Sequence, residues 1–161
     1  MTVLPIRHRP DTVLREKAKR VPKVDSSIKR IIDDMIETVH HTPNGVGLAA
    51  PQVGISLRII VLKMPDEEPV VIVNPEIVKR LGERDLTEAC LSVPGYWGEV
   101  KRAVSVTVKG LDREGKAIRI KASELAAQAL EHEIDHLDGT LFLDHVTEGL
   151  HKVETITQPE T

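Results

Sequence analysis

Between residues 57 and 108 the chain contains short apolar segments rich in β-branched residues, and these segments limit the folds it can adopt. Residues 58–62, 70–73 and 104–108 are bounded by Pro, Gly or Asp, as strands commonly are. Residues 111–116 have the composition of a hairpin turn that leads into a fourth segment at 117–121. We therefore expect several short strands arranged in antiparallel or mixed sheets.

Helical patterns precede and follow these strands. Asp11 could cap a short helix from residue 12 to about residue 19, and Asp25 could cap a second one. The second helix has one buried stripe: Ile28, Ile31, Ile32, Met35, Ile36 and Val39. Ser123 is a suitable N-cap for a last helix through Leu137, which Gly139 could end. This order predicts an α+β fold with sheets packed around the last helix and helices at the N-terminus.

The composition fits a single soluble domain. We expect one domain over residues 1–161, including a polar tail at 146–161, because 40% hydrophobic residues suffice for a core. The net charge of −3 gives no reason to expect nucleic acid as a partner. One cysteine excludes an internal disulfide, and the sequence has neither a signal segment nor an apolar run of about 18 residues. These features predict a cytoplasmic protein that binds neither membranes nor nucleic acid directly.

Residues 132–136 read His-Glu-Ile-Asp-His and have the form H-E-x-x-H. Positions four apart share one face of a helix, so His132 and His136 can reach one metal ion while Glu133 lies beside it. Neutral imidazoles bind zinc, iron, nickel or cobalt, and a neighbouring carboxylate can accept a proton from water. The alternative is a buried helix whose histidines are satisfied by hydrogen bonds, and the motif alone does not decide between the two.

A catalytic metal site commonly has three protein ligands plus water, so a third ligand is needed. The extended pattern H-E-x-x-H-x-x-G-x-x-H fails, because Phe142 stands at its last position. Candidates downstream are Asp144, His145, Glu148 and His151. Upstream, Cys90 is the only thiol of the chain and the best candidate, although a lone cysteine is more often a small buried apolar residue.

Residues 45–52 read Gly-Val-Gly-Leu-Ala-Ala-Pro-Gln and superficially match the dinucleotide-binding pattern G-x-G-x-x-A. We reject that interpretation, because a helical pattern precedes the segment and Pro51 falls where the required helix would run. The two glycines instead allow the backbone to approach a ligand closely, and Gln52 could donate a hydrogen bond to it. A glycine turn with an exposed Gln52 explains the spacing equally well.

Together, the three segments resemble the peptide deformylase family, which is marked by G-x-G-L-A-A-x-Q, E-G-C-L-S and H-E-x-D-H in this order. The matching segments here are residues 45–52, 88–92 and 132–136, and the resemblance extends over residues 4–145. It implies a metal-dependent hydrolase that removes the N-formyl group from the formyl-methionine of new polypeptides and releases formate. The implied partners are the formyl-methionyl peptide and, transiently, the ribosome. The tail lacks the long basic C-terminal helix by which some members dock, so docking is not carried over.

The resemblance also implies a role for each matching residue. One divalent ion, Fe(II) natively in many members and zinc, nickel or cobalt in others, would be bound by Cys90, His132 and His136. Glu133 would act as general base and then as acid. Gln52 and the backbone N–H of Leu91 would stabilise the oxyanion.

The substrate contacts implied by the resemblance lie in two places. Backbone at Val46, Gly47 and Ala89 would bind the extended peptide. The methionine side chain would enter an apolar pocket near Val46, Leu125 and Ala129.

Two positions depart from the family pattern, and one pair suggests a supporting role. Ala89 stands where Gly is usual, so its methyl group would intrude unless the backbone φ there is ordinary. Glu131 replaces a common Gln and adds a charge beside His132, facing either the site or solvent. We also predict that Glu88 and Arg102 pair and brace the Cys90 loop, although two separate surface charges are an equal alternative.

Two other functions remain open. A metallopeptidase of another kind would use a tail residue as its third ligand and would keep its metal after Cys90→Ala. A relative without activity would use the same fold as a binding module. The intact Glu133 argues against that second possibility, because a binding module does not need a base.

Overall fold

The structure, a computed structural model, describes residues 2–42, 46–147 and 149–153. Its two α-helices are α1 (Ser26–His40) and α2 (Glu124–Leu137), and short 3-10 helices span Thr12–Arg15, Ala50–Val53 and Phe142–His145. The strands are β1 (Gly47–Ala49), β2 (Ile59–Leu62), β3 (Val70–Leu81), β4 (Arg84–Cys90), β5 (Val93–Arg102), β6 (Ser105–Leu111), β7 (Ala117–Ser123) and β8 (His151–Lys152). No helix among the described residues is long and apolar enough to cross a membrane.

The strands form two sheets in which every pair of named strands is antiparallel. The larger sheet has the order β1–β2–β3–β6–β7, and the smaller has the order β4–β5–β8. The α+β class predicted from the sequence is therefore confirmed. Because β1 and β4 each pair on one side only within these sheets, both leave a backbone edge available beside the site described below.

The helix α1 forms where its apolar stripe predicted it. The Asp25 carboxylate accepts a hydrogen bond from the Ile28 backbone N–H at 3.0 Å and caps the first turn. Ile32 and Met35 are fully buried against a cluster that includes Leu48, Ile59, Val61 and Val73. The sequence also predicts that residues 42–45 end this helix. The helix ends at His40, with His41 as its C-cap, and residues 43–45 lie outside the described residues.

The helix α2 lies between the sheets and carries the H-E-x-x-H segment. It packs against the larger sheet from β1 to β7 and against β5 of the smaller one. Leu130 and Leu137 are completely buried in a cluster with Ile60, Ile72 and Val108. This central position holds the two histidines of α2 in the interior, where they face the end of β4.

Two expectations about the helices need correction. The first helix is a 3-10 helix that ends at Arg15, because Lys19 instead forms a bridge with Leu57. Asp11 still caps it by accepting a hydrogen bond from the Val13 backbone N–H at 3.1 Å. Ser123 occupies the N-cap of α2 in an extended conformation, but its side chain makes no capping hydrogen bond.

Candidate metal centre

The fold brings Cys90 next to His132 and His136, although the cysteine is distant from them in sequence. One ligand atom from each of the three residues lies within 4.8 Å of those from the other two. The Cys90 Sγ is 3.3 Å from the His136 Nε2, and the two imidazole centroids are 5.0 Å apart. The histidines are one turn apart on α2, whereas Cys90 comes from the end of β4. Within the described part of the chain, this is the one such group of three metal-ligating side chains.

The downstream candidates for a third ligand point elsewhere. Asp144 forms an ion pair with Arg15, and the His145 Nε2 is 3.0 Å from the Asp135 carboxylate. The His151 ring stacks on Trp97. Phe142, at the position where the longer protease pattern has histidine, is buried in the core. Glu148 lies outside the described residues.

The orientation of His132 suits a metal ligand. Its Nδ1 is 2.9 Å from the Glu88 Oε1 and donates to that carboxylate, so Nε2 is the nitrogen left to bind a metal ion once it has lost its proton. Glu88 in turn accepts two hydrogen bonds of 2.8 Å from the Arg102 guanidinium, and Arg102 also donates to Asp135 at 2.8 Å. The predicted pairing of Glu88 with Arg102 is confirmed, and both side chains are buried.

The surroundings of these imidazoles favour a cation. Burial lowers the pKa of His136 well below its ordinary value, so this ring is neutral and can donate a lone pair. Burial also lowers the pKa of His132, but its contacts with Cys90 and Glu88 outweigh this and raise the pKa well above the ordinary value. The negative groups around His132 thus stabilise positive charge at this point. The donor set and its electrostatics therefore fit a divalent metal ion.

Glu133 lies beside this group with an available oxygen. The side chain is buried, and its Oε1 has no hydrogen-bond partner among the described residues. Burial raises the pKa of Glu133 to about 7, which suits a group that first accepts and then donates a proton. A Cβ added at Gly47 would lie 2.8 Å from the Glu133 Oε2, so only glycine leaves this carboxylate its present position.

Gln52 is buried, not exposed as the alternative interpretation of its segment had it. Its Oε1 accepts a hydrogen bond from the Ala49 backbone N–H at 3.0 Å, which turns the Nε2 towards the site. That Nε2 is 3.3 Å from the Ser92 Oγ and 3.6 Å from the Cys90 Sγ. The amide donor is therefore held beside Cys90, one of the three candidate ligands.

One cavity of about 270 Å³ opens onto these groups. The residues expected to bind substrate all line it: Val46, Gly47, Ala89, Leu125 and Ala129. Gln52, Leu91, His132 and Glu133 line it as well. The sequence interpretation missed Thr87 and Gln128, which also face this cavity. No local pattern marks these two; only the approach of β4 to α2 brings them together.

The two departures from the family pattern are accommodated without strain. Ala89 is not among the residues with positive φ, so its methyl group causes no backbone strain. Glu131 is buried and faces away from the candidate ligands. It accepts hydrogen bonds from the Ala103 backbone N–H at 2.7 Å and from Arg80 at 2.9 Å. Its charge is thus compensated by Arg80 and not by the candidate ligands.

Comparison with known proteins identifies the family. A family model described as polypeptide deformylase matches residues 3–152. The chain belongs to this family. A peptide deformylase from Dehalococcoides mccartyi (strain CBDB1) is 57% identical over 147 residues, which cover 89% of this chain and 87% of that protein.

Solved structures of the polypeptide deformylase family agree with the fold. A peptide deformylase from Legionella pneumophila is 47% identical, with a TM-score of 0.87, and the match covers 91% of this chain and 88% of that one. A peptide deformylase from Thermotoga maritima is 39% identical, with a TM-score of 0.86 and coverages of 91% and 99%. As a member of this family, the chain is a hydrolase.

Proposed function

We propose that this protein is a metal-dependent peptide deformylase that hydrolyses the formyl group from the N-terminal formyl-methionine of newly made polypeptides and releases formate. The observation that carries the proposal is the group formed by Cys90, His132 and His136, with the buried Glu133 carboxylate beside it. The names of the relatives support the same reaction. We further propose that residues 1–161 form one catalytic domain.

The metal would be held by the Cys90 thiolate and by one ring nitrogen from each of His132 and His136. A divalent cation bound there would supply a Lewis acid that acidifies water and polarises the formyl carbonyl. We propose Fe(II) as the native ion, whereas zinc, nickel or cobalt would also suit two imidazoles and a thiolate. Glu88 would support this site by keeping the His132 Nδ1 protonated and the ring oriented.

Glu133 would move the proton. Its unpartnered Oε1 would accept a proton from the attacking water and then deliver it to the amine that leaves with the peptide. The close approach of the Gly47 backbone restricts the carboxylate to a small range of positions. Such positioning reduces the entropy that is lost on reaching the transition state and so lowers the activation free energy of the hydrolysis.

The Gln52 Nε2 and the backbone N–H of Leu91 would stabilise the charge that develops on the formyl oxygen. Removing one such donor typically lowers kcat by about 100- to 1,000-fold. The peptide would lie between the edges of β1 and β4, bound through the backbone at Val46, Gly47 and Ala89. Its methionine side chain would occupy the apolar wall near Leu125 and Ala129.

This substrate implies a cytoplasmic enzyme that meets nascent chains close to the ribosome. Such proximity would be transient. It requires no direct binding of nucleic acid or membrane.

Formate release from formyl-Met-Ala-Ser tests the proposed function. The protein is purified without oxygen, its metal content is measured, and acetyl-Met-Ala-Ser serves as the matched substrate. We expect formate from the first peptide and little acetate from the second. Glu133→Gln should keep the metal and lose activity by several orders of magnitude, whereas Glu124→Gln, on the exposed start of the same helix, should behave as the wild type.

Two results would contradict the proposal. Bound metal without formate release would favour a binding module over an enzyme. Undiminished metal content in Cys90→Ala would exclude the thiolate as a ligand and would favour a metallopeptidase with another ligand set.

A further inference from the structure

The two proposed oxyanion donors come from the two different sheets. Gln52 lies in the 3-10 helix that follows β1 of the larger sheet, whereas Leu91 lies in the turn between β4 and β5 of the smaller one. The Gln52 Nε2 is 3.3 Å from the Ser92 Oγ, which is a direct contact between the two parts. The separation of the two donors therefore depends on how firmly the sheets are joined at this point.

A segment near the N-terminus, residues 4–14, crosses this junction and binds to both sides of it. The Arg7 backbone N–H donates to the Gln52 carbonyl oxygen at 2.6 Å, and the Arg9 backbone N–H donates to the Ser92 carbonyl oxygen at 2.8 Å. Together with the contact between Gln52 and Ser92, these two hydrogen bonds close a ring of three links. The ring contains the 3-10 helix of one donor and the turn of the other.

The segment 4–14 is itself anchored on both sides of these hydrogen bonds. Before them, the Leu4 backbone N–H donates to the Thr38 Oγ1 of α1 at 2.8 Å, and Leu4 packs against the cluster that α1 helps to form. After them, Leu14 is buried in the cluster of the smaller sheet with Val93 and Val100. The segment is therefore attached to the core on each side of the junction that it crosses.

We propose that the backbone N–H groups of Arg7 and Arg9 position the two oxyanion donors, by holding the 3-10 helix of Gln52 and the turn at residues 91–92 in a fixed relative position. This inference rests on the proposed function. Neither arginine lines the cavity, so both are positioning residues that act through the groups they bind. Donors to a developing negative charge are effective when they are already in place, because reorganising them during the reaction costs part of the stabilisation.

Proline substitution tests the proposal, because proline has no backbone N–H. We expect Arg7→Pro and Arg9→Pro each to lower kcat for formyl-Met-Ala-Ser by about 10- to 100-fold. KM and metal content should stay close to the wild-type values, because the edges of β1 and β4 and the metal ligands are unchanged. Arg7→Ala and Arg9→Ala keep the N–H groups and should keep kcat close to that of the wild type.

His8→Pro is the matched control for the proline ring. It lies between the two positions, and among the described residues its backbone N–H donates to no other backbone group. We expect its kcat to stay close to the wild-type value. If Arg7→Pro does not fold, an ester bond in place of the amide at residue 7 removes the same N–H without a ring. An α-hydroxy acid with the leucine side chain at that position would then be compared with Arg7→Leu.

A double-mutant cycle separates positioning of Gln52 from a general structural defect. If Arg7 acts through the Gln52 amide, Arg7→Pro should lower kcat by less than about 3-fold in a Gln52→Ala background. A structural defect would instead cost the same factor in both backgrounds. The readout is formate release from metal-loaded protein, with the circular dichroism spectrum and urea denaturation as checks of folding.

The outcomes separate this inference from the proposed function. A wild-type kcat in both proline variants, with formate released, would overturn the positioning role and leave the deformylase reaction intact. An equal loss of kcat in His8→Pro, or an equal cost of Arg7→Pro with and without the Gln52 side chain, would overturn it as well. No formate from the metal-loaded wild-type protein would overturn the proposed function, and this inference with it.

Discussion

Replacing Arg102 with Met should destabilise the protein by about 3 to 5 kcal/mol at neutral pH, because it leaves a buried carboxylate without its cation. The side chains of Arg102 and Glu88 are only 3% and 4% exposed, and two hydrogen bonds of 2.8 Å join them. Methionine roughly preserves the side-chain volume, so the loss reports on charge pairing and less on packing. Asp135 loses a partner in the same variant.

The pKa of Glu88 gives a second estimate of this loss of stability and predicts how the loss depends on pH. Burial alone would raise this pKa, but Arg102 and His132 lower it from 4.5 to about 2. A difference of about 2.5 corresponds to about 3 kcal/mol of stability. Since the folded-state pKa is depressed, this stability is fully present above pH 4.5 and is lost as the pH falls towards 2. The difference between wild type and Arg102→Met should therefore shrink on acidification.

Urea denaturation of both metal-free proteins at several pH values from 7 down to 3 measures the free energy of unfolding. Lys101→Met is the matched control, because the adjacent Lys101 forms an exposed ion pair with Asp85 and should change stability little. Arg102→Met should also retain its metal less tightly, by about 10- to 100-fold. A loss below about 1 kcal/mol that does not vary with pH would refute this explanation of the buried pair.

Three further predictions concern Gly47, Phe142 and the metal ion. Gly47→Ala should lower kcat by roughly 100-fold, because the added Cβ would displace the Glu133 carboxylate. The circular dichroism spectrum should stay unchanged. A kcat near the wild-type value would show that the carboxylate can shift freely. Phe142→Ala should lower the unfolding free energy by about 3 to 5 kcal/mol in urea, because the ring is buried with Leu14 and Val100; a loss below about 1 kcal/mol would contradict that packing. Activity of the enzyme purified without oxygen should decay in air and persist anaerobically, because Fe(II) is oxidised in air; equal half-lives would contradict iron as the proposed native ion.

Patterns within single segments of the sequence predicted the two α-helices, which depend on side-chain periodicity and capping. The helix α1 has an uninterrupted apolar stripe and a side-chain cap, and α2 has a buried face that includes Leu130 and Leu137. The interval of four residues between His132 and His136 places both on one side of α2, whatever surrounds it. These features needed no knowledge of the tertiary structure.

Sheet edges and long-range contacts could not be predicted in the same way. The segment β1 is only Gly47–Ala49 and reads as a turn, and β8 is only His151–Lys152. The strand β4 does not alternate between apolar and polar residues. It can bury the charged Glu88 because Arg102 from β5 pairs with it. Such compensation comes from another strand and leaves no periodic signal in the segment itself.

The residues of the candidate site also fall into those that a local motif predicts and those that depend on tertiary contacts. The two histidines and Glu133 follow from one helical motif. Cys90 was the best candidate for the third ligand because it is the only thiol of the chain. A lone thiol carries no signal of what it will meet in the fold, so the three-motif resemblance was needed to strengthen that prediction. The approach of Gln128 to Thr87, with an Nε2 to backbone oxygen distance of 3.3 Å, depends entirely on how α2 docks beside β4.

The most direct test of the metal centre is anomalous X-ray diffraction from crystals of protein purified and grown without oxygen. We predict one strong anomalous peak within bonding distance of the Cys90 sulfur and of one ring nitrogen from each of His132 and His136. A peak at the absorption edge of iron would further identify the native ion. A metal bound elsewhere, or a Cys90 sulfur well outside bonding distance of the ion, would contradict the proposed metal centre.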